Sequence, residues 1–296
     1  MQRRSFLHAA ASLGLAMSWP AKALATGNAP QVLASFSILQ DIVRQVAPAQ
    51  FTVHGLVPAN ADAHVFSPKP RDARLLAHVD LVFFNGLGFE GWFNRFVESA
   101  GYKGPVVQVS RAIEPRRTRK GNPDPHAWQS LLHGAAYANA VADALAQRHP
   151  AHQEEIRSRA ARYSTLLLAE HDRIVQAFAA LPATQRRVIT AHDAFAYFGE
   201  AYGVEFFAPQ GWSTHSQPSA SAVAKLIRLA KQKQVKGIFL ENMSDARLIE
   251  RIASESGARV GGTLYSDALS DPQGPAPSYL EMFRHNASTL LNALRV

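Results

Sequence analysis

Three histidines, His64, His126 and His192, each follow a turn or a short apolar run. The loop before His126 contains two prolines, which stiffen it, because proline fixes its own φ angle and pushes the preceding residue away from helical geometry. A histidine held at the mouth of a helix in this way can point into a cleft. Asp267 comes directly after another apolar run and is the candidate fourth ligand.

His126 alone also fits a simpler interpretation. Asp124 would cap a helix, Pro125 would occupy its first turn, and the imidazole would be an ordinary polar side chain near the helix start. The recurrence of a histidine at the same kind of position in three places favours a site over this interpretation.

Three imidazoles and one carboxylate form a donor set that Zn²⁺ accepts in tetrahedral geometry, and other late transition metals also bind imidazole. Four protein ligands leave no position for water, whereas a catalytic zinc normally keeps one open. The set therefore favours holding a metal over using it in catalysis. A zinc hydrolase is the alternative, in which one ligand leaves the metal and Glu241 or Asp193 acts as the base.

Two further residues are candidates for roles beside the ligands. Glu241 ends a predicted strand, where it either orients a metal-bound imidazole or forms a buried ion pair. His215 lies in a hydroxyl-rich loop and is a candidate for metal capture or release. For the other histidines of the mature chain we expect structural or solvated roles.

Apolar runs alternate with helical segments in both halves of the chain, which predicts an α/β fold of two lobes. Each lobe is expected to contain a mainly parallel four-stranded sheet flanked by helices. Ligands gather at the carboxyl ends of the strands in such sheets, so each lobe should contribute two ligands to the cleft between them. The predicted strands span residues 31–36, 51–57, 81–85 and 106–109, then 187–190, 204–208, 237–240 and 259–264.

One long helix is predicted between the halves. Residues 149–182 lack internal breakers between Pro150 and Pro182, and their apolar residues recur in steps of three, four or seven. About thirty residues at 1.5 Å each give a rod of roughly 45 Å, long enough to join two lobes and restrict their hinge motion. An ordinary core helix is the alternative. The predicted domains are the N-terminal lobe 26–148, the linking helix 149–182 and the C-terminal lobe 183–296.

Residues 1–25 are predicted to be an export signal peptide. Arg3 and Arg4 precede an apolar run that is too short to span a membrane, and Ala23-Leu24-Ala25 fits a cleavage site. The paired arginines also resemble a twin-arginine signal, and an ordinary secretory leader is the equal alternative. The chain contains no cysteine, which excludes disulfides, thiolate ligands and a lipoprotein anchor. We expect a soluble periplasmic protein.

The net charge is modest for a chain of this length. The formal charge is +8, and the predicted leader carries three basic residues and no acidic ones. The densest basic cluster lies in residues 116–120 without interleaved aromatic residues, which favours a solvated loop over a nucleic-acid surface. We expect no nucleic-acid partner, and a monomer.

Motifs spread over nearly the whole mature chain resemble the zinc- and manganese-binding solute receptors of metal-importing ABC transporters, the cluster A-I type. The resemblance rests, in the family's order, on Ala63-His64 with residues 68–72, and on residues 86–92, 124–128, 192–198, 218–220, 239–241 and 265–267. Gln129-Ser130 departs from the usual continuation after the tryptophan, a difference expected to change only helix contacts.

This resemblance implies two α/β lobes joined by one long helix, with a single metal held between them by His64, His126, His192 and Asp267. It also implies delivery to an ABC-type permease of the inner membrane, with a periplasmic metallochaperone as a further possible partner. Manganese receptors tend to have a carboxylate in place of His192, so this histidine favours Zn²⁺ over Mn²⁺. A manganese receptor and a metal-dependent adhesin or zinc buffer are the alternatives.

The resemblance also bears on metal scavenging. Some zinc receptors carry a long insertion rich in histidine and aspartate where this chain has the short basic loop 116–121. We therefore expect no secondary metal-scavenging loop.

Overall fold

The computed structural model describes residues 29–118 and 121–295. The predicted leader, residues 1–25, lies outside the described residues, as do Arg119 and Lys120 of the basic loop. Within the described ranges, strands and helices alternate in the predicted order. Among the helices described, none combines the length and apolar character needed to cross a membrane.

The first half contains a parallel four-stranded sheet with strand order β2-β1-β3-β4. Strand β1 is almost entirely buried, as expected of a parallel strand covered on both faces. The strands are β1 (Gln31–Phe36), β2 (Thr52–Val57), β3 (Leu81–Phe84) and β4 (Val106–Gln108). The helices are α1 (Ser37–Val46), α2 (Pro70–Leu76), α3 (Phe93–Ser99) and α4 (Leu131–Arg148).

The second half repeats this plan with strand order β6-β5-β7-β8. Its strands are β5 (Arg187–Ile189), β6 (Glu205–Phe207), β7 (Gly237–Glu241) and β8 (Arg259–Leu264). Its helices are α6 (Ala196–Tyr202), α7 (Ala220–Gln232), α8 (Ala246–Ser256) and α9 (Tyr279–Leu294). Helix α8 ends at Gly257, whose φ of 79° is a left-handed conformation that glycine adopts without strain.

The long helix between the sheets is α5 (Gln153–Ala179), 27 residues and about 40 Å at 1.5 Å per residue. It is shorter than predicted, because residues Pro150–His152 form a separate 3₁₀ turn and the helix ends before Pro182. The predicted apolar stripe is its buried face, from Ile156 to Phe178.

The hydrophobic core is shared between the halves. One cluster runs from the first sheet through α4 and α5 to side chains of α6 and α9, and a smaller cluster packs β7 against α7 and α8. Helix α9 contacts both α1 and α5, and Asp41 of α1 accepts a hydrogen bond of 2.9 Å from the N–H of Tyr279 at its start. The last helix is therefore joined directly to the first half.

Both sheets bring functional side chains to the carboxyl ends of their strands. In each strand order the first strand in sequence lies between the second and the third, so the chain reverses its winding direction beside it. Open parallel sheets bind ligands at such a reversal, because the loops that leave the adjacent strands diverge there and form a crevice. The loops after β2, β4, β5 and β8, which carry His64, His126, His192 and Asp267, meet in the cleft between the two sheets.

Candidate metal centre

The four residues predicted from the sequence lie together. His64, His126, His192 and Asp267 are all buried, and one potential ligand atom from each lies within 4.8 Å of the others. Oδ2 of Asp267 is 3.4 Å from Nε2 of His64 and 3.1 Å from Nε2 of His192. Oδ1 of the same carboxylate is 3.7 Å from Nε2 of His126. Three Nε2 atoms thus surround one carboxylate.

His126 is oriented by Asp124, two residues earlier. Oδ1 of Asp124 accepts hydrogen bonds from the backbone N–H of His126, at 3.0 Å, and from its Nδ1, at 2.8 Å. The proton on Nδ1 leaves the lone pair of Nε2 directed at the cluster. Residues Ala127–Gln129 form a short 3₁₀ turn and α4 begins only at Leu131, so Asp124 is not a cap of that helix.

His192 is paired with Glu241, the carboxylate at the end of β7. Oε2 of Glu241 lies 2.6 Å from Nδ1 of His192 and accepts a hydrogen bond of 2.7 Å from the hydroxyl of Ser266. Its Oε1 accepts from the backbone N–H groups of Ala191 and His192, at 2.8 and 3.0 Å. Glu241 therefore holds the loop after β5 as well as the imidazole.

His64 has aromatic neighbours instead. Asp62 fixes its backbone, because Oδ1 of Asp62 accepts a hydrogen bond of 2.8 Å from the N–H of His64. The imidazole meets the ring of Phe89 edge-on at a centroid distance of 4.7 Å, and the ring of Trp212 lies 6.1 Å away. The wall beside His64 is thus largely apolar.

Asp267 is held by contacts to the His126 loop. The carbonyl of Ser266 accepts hydrogen bonds from Nε1 of Trp128, at 2.9 Å, and from Nε2 of Gln129, at 2.6 Å. The expectation that Gln129 changes only helix contacts is therefore wrong, since its amide holds the residue before a predicted ligand. These buried bonds join the His126 and Asp267 loops across the cleft.

The charges of the cluster are coupled. Burial raises the pKa of Asp267, but the nearby imidazoles of His192 and His126 outweigh it and hold that pKa well below its usual range. Burial lowers the pKa of His192, but the carboxylates of Glu241 and Asp267 outweigh it and raise that pKa well above its usual value. Burial lowers the pKa of His64. A charged carboxylate thus faces an imidazolium in the ion-free cluster.

The cluster also contains polar atoms without hydrogen-bond partners among the described residues. The five of them that face one another are Nε2 of His64, His126 and His192 and both carboxylate oxygens of Asp267. Buried polar atoms are normally satisfied, so five such atoms that face one another indicate a site for a cation. Their chemistry fits a transition-metal ion held by three nitrogens and one carboxylate.

His215 is not part of this cluster. The structure leaves His215 exposed, with its backbone N–H 3.4 Å from the hydroxyl of Ser213. The same loop reaches the site through two other residues, since the hydroxyl of Thr214 donates a hydrogen bond of 2.6 Å to Oδ2 of Asp62, and Trp212 lies beside His64.

The comparisons with known proteins identify the family. Residues 32–293 match the family described as the periplasmic zinc-uptake complex component A, ZnuA. The chain belongs to the ZnuA family. Members of the ZnuA family are solute-binding proteins, so the chain is a metal-binding receptor that serves ABC-type transport and is not an enzyme. The zinc-hydrolase alternative is therefore wrong.

Similar proteins carry names that refer to different metals. Iron-binding protein YfeA of Yersinia pestis is 28% identical over 264 residues, which cover 88% of this chain and 85% of that protein. Manganese ABC transporter substrate-binding lipoprotein PsaA of Streptococcus mitis is 26% identical over 283 residues, covering 92% of both. Membership of the ZnuA family therefore leaves the metal open.

A solved structure confirms the predicted fold class. The periplasmic zinc-binding protein TroA from Treponema pallidum superposes with a TM-score of 0.86 at 28% identity, covering 90% of this chain and 99% of that one. The match includes the two parallel four-stranded sheets with the long helix between them.

The sequence interpretation named Glu241 as a candidate for orienting an imidazole but missed Asp62 and Asp124 in this role. Asp62 and Asp124 each precede a histidine by two positions, and each accepts a hydrogen bond from the backbone N–H of that histidine. An aspartate that bonds the backbone two residues later is a known turn-forming pattern. The repeated Asp-x-His spacing was therefore the available signal. The aromatic wall of Phe89 and Trp212 had no comparable local signal, because it assembles from separate loops.

Proposed function

We propose that this member of the ZnuA family captures one Zn²⁺ ion with His64, His126, His192 and Asp267 and delivers it to an ABC-type permease. The observation that carries the proposal is the convergence of three Nε2 atoms and a carboxylate, all buried and without other partners among the described residues. A cation bound between them neutralises the carboxylate and gives the nitrogen and oxygen atoms a common partner.

The donor set supports zinc over manganese. Zn²⁺ accepts four nitrogen and oxygen ligands in tetrahedral geometry, whereas Mn²⁺ favours oxygen ligands and a higher coordination number. Among the described residues, Asp267 is the single carboxylate at the Nε2 side of the imidazoles. Glu241 lies on the opposite side of His192, at Nδ1, where it orients the ring and does not add an oxygen ligand.

The route of the protein and of the metal completes the proposal. Residues 1–25 direct export, and the mature chain acts as a soluble monomeric receptor in the periplasm that passes its metal to an inner-membrane permease. A periplasmic metallochaperone is a further proposed partner that supplies the metal. The family is described as periplasmic and the similar protein PsaA is named as an ABC transporter component, which supports this route.

The test is a metal competition on the chain without residues 1–25. Zinc and manganese are titrated against a chelator of known affinity, using the wild type and two single variants, His192→Ala and His215→Ala. Losing a residue that only orients a ligand costs about 10- to 100-fold in affinity, and losing a ligand costs more. We expect His192→Ala to exceed that range for zinc and His215→Ala to stay near the wild type. Equal losses, or tighter manganese binding by the wild type, would contradict the proposal.

A further inference from the structure

A tyrosine of the second half reaches the loop that carries His126. Helix α6 begins four residues after His192, and its Tyr197 is almost fully buried. The hydroxyl of Tyr197 donates a hydrogen bond of 3.1 Å to the carbonyl of Asp124 and accepts one of 2.9 Å from the backbone N–H of Arg116. One hydroxyl thus bonds both sides of a loop in the other half of the chain.

These two bonds close the base of a hairpin. The N–H of Asp124 donates to the carbonyl of Arg116 at 2.8 Å, and Arg117 pairs with Pro123 in an antiparallel bridge. The hydroxyl of Tyr197 accepts from the N–H of Arg116 and donates to the carbonyl of Asp124, the two backbone groups that the Asp124–Arg116 bond leaves free. The N–H and the carbonyl of both residues are therefore hydrogen-bonded.

The position of Asp124 decides the orientation of His126. Its carboxylate accepts from both the backbone N–H and Nδ1 of His126, so a rotation of the Asp124 backbone would move the imidazole. On the other side of this loop, Nδ2 of Asn85 donates to the carbonyl of Pro125 at 2.9 Å. Asn85 belongs to the same half as the loop, whereas Tyr197 belongs to the half that carries His192.

We propose that Tyr197 is a positioning residue for metal capture, which fixes Asp124 and thereby the imidazole of His126 relative to His192. The inference rests on the proposed function, since it assigns Tyr197 a part in the same metal site. Because His192 lies four residues before helix α6 and Tyr197 lies in its first turn, a displacement of this segment moves His192 directly and His126 through Asp124.

The hydroxyl suits this role because it stays a donor. Burial, the largest influence, raises the pKa of Tyr197 to about 12, so its proton remains in place at neutral pH. The ring has separate support, since the imidazole of His133 packs edge-on against it at a centroid distance of 5.3 Å. Tyr197→Phe therefore removes the two hydrogen bonds and keeps the packing.

Helix α6 offers a matched control. The hydroxyl of Tyr202 accepts from the N–H of Leu131 at 3.4 Å and lies 3.3 Å from Nδ1 of His171, away from the Asp124 loop. Tyr202→Phe removes a buried hydroxyl from the same helix without touching a residue that orients a ligand. A general effect of losing a buried tyrosine hydroxyl would appear in both variants.

The experiment measures zinc affinity by chelator competition for the wild type, Tyr197→Phe, Tyr202→Phe, Asp124→Ala and the double variant Tyr197→Phe/Asp124→Ala. We expect about a 10-fold loss for Tyr197→Phe, of the size typical for residues that orient a ligand, and little change for Tyr202→Phe. Because Tyr197 acts through Asp124, its substitution should have no further effect once Asp124 is alanine.

A spectroscopic measurement separates positioning from a structural role. In the metal-free protein, the ring N–H of His126 that bonds Asp124 should give a downfield proton resonance. We expect Tyr197→Phe to broaden this resonance and to leave that of His192 in place, at an unchanged melting temperature.

Each outcome has one meaning. A wild type that binds no zinc overturns the proposed function itself. If the wild type binds zinc and Tyr197→Phe binds it with equal affinity, only the role of Tyr197 is overturned. The same holds if the losses of affinity caused by Tyr197→Phe and Asp124→Ala add up in the double variant. A Tyr197→Phe variant that fails to fold assigns the hydroxyl a structural role and also overturns this inference.

Discussion

At the scale of single residues, the proposed metal site depends on carboxylates that do not face the proposed metal position. Asp124 and Glu241 each lie against the Nδ1 atom of a histidine, so that Nε2 of the same ring is left for the ion. Carboxylates at this position fix the ring orientation and increase the basicity of the imidazole. Preorganised nitrogens bind an ion more tightly because no rotamer has to be selected when the ion arrives.

The first prediction concerns these two carboxylates. Asp124→Ala and Glu241→Gln should each weaken zinc binding by about 10- to 100-fold, because each leaves an imidazole without its orienting partner. Glu205→Gln is the control, since Glu205 is a carboxylate of the second half that pairs with Arg187 and Lys233 at the surface. Isothermal titration calorimetry with a competing chelator measures all three. If Asp124→Ala and Glu241→Gln bind zinc as tightly as Glu205→Gln does, the two carboxylates do not orient the histidines.

The second prediction concerns pH and follows from His192. Its pKa is raised above the value of about 6.5 for a free imidazole, so the metal has to displace a proton at neutral pH. Zinc affinity should therefore fall as the pH drops through the raised pKa, and each ion bound at pH 7 should release about one proton. Calorimetry in two buffers of different ionisation enthalpy counts the protons. A zinc affinity that stays constant between pH 6 and 8, without proton release, would contradict the role of a protonated His192 as a ligand.

The same shifts determine how the stability of the metal-free protein depends on pH. The raised pKa of His192 gives stabilisation that is fully present below about 6.5 and is lost as the pH rises through the folded-state value. The lowered pKa of Asp267 gives the opposite dependence, present above about 3.9 and lost as the pH falls through the folded-state value. The contributions of His192 and Asp267 are thus both present between pH values of about 3.9 and 6.5, where metal binds less well.

At the residue scale the sequence predicted the four side chains that the structure brings together and one carboxylate beside them, Glu241, but not Asp62 or Asp124 as residues that orient a histidine. Apolar runs indicate where strands end, and the four side chains after them were found by their types. Glu241 was recognised as a candidate because it ends a strand. A helix cap was the alternative interpretation of Asp124, because an aspartate before proline fits both a cap and a turn, and only the 3₁₀ turn after His126 separates the two.

At the scale of elements, α5 supports both halves. Its buried residues contact α1 and α4 on one side and α6 and α9 on the other. Glu170, a buried carboxylate on this helix, accepts hydrogen bonds from Nε of Arg173 at 2.9 Å and from Nε of Arg284 on α9 at 3.3 Å. The helix is therefore fixed by packing along its length and by an ion pair with the last helix.

The third prediction compares neighbouring leucines of this helix. Leu167 is fully buried, whereas Leu166 has 54% of its surface exposed. Leu167→Ala should lower the free energy of unfolding by about 2–5 kcal/mol, because it leaves a cavity in the shared core. Leu166→Ala should change it by less than about 0.5 kcal/mol. Urea denaturation of the metal-free protein measures both. Equal losses would contradict the assigned buried face of α5.

The sequence predicted most elements closely, since buried parallel strands are read directly from apolar runs and α5 from its periodic stripe. It did not predict the shared core. The return of α9 to α1 depends on contacts such as the bond between Asp41 and the N–H of Tyr279, which joins residues 238 positions apart. No local pattern specifies such a contact, so the predicted domain boundaries remain predictions.

At the scale of the whole molecule, the two sheets make a site that neither forms alone. The first contributes His64 and His126, the second His192 and Asp267, and buried bonds from Trp128 and Gln129 to the Ser266 carbonyl hold the two sides together. A bound ion adds ligand bonds between the same two sides. It should stabilise the folded chain by mass action, by about 4 kcal/mol at a free concentration 1,000 times the dissociation constant.

The most direct test of the central claim is the metal stoichiometry of the chain without residues 1–25, measured by elemental analysis after zinc loading and extensive dialysis. The wild type is compared with the double variant His192→Ala/Asp267→Ala, which removes both ligands of the second half. We expect one zinc per wild-type chain and none in the variant. No stoichiometric zinc in the wild type, or equal zinc in both proteins, would contradict the claim that these four residues form the metal site.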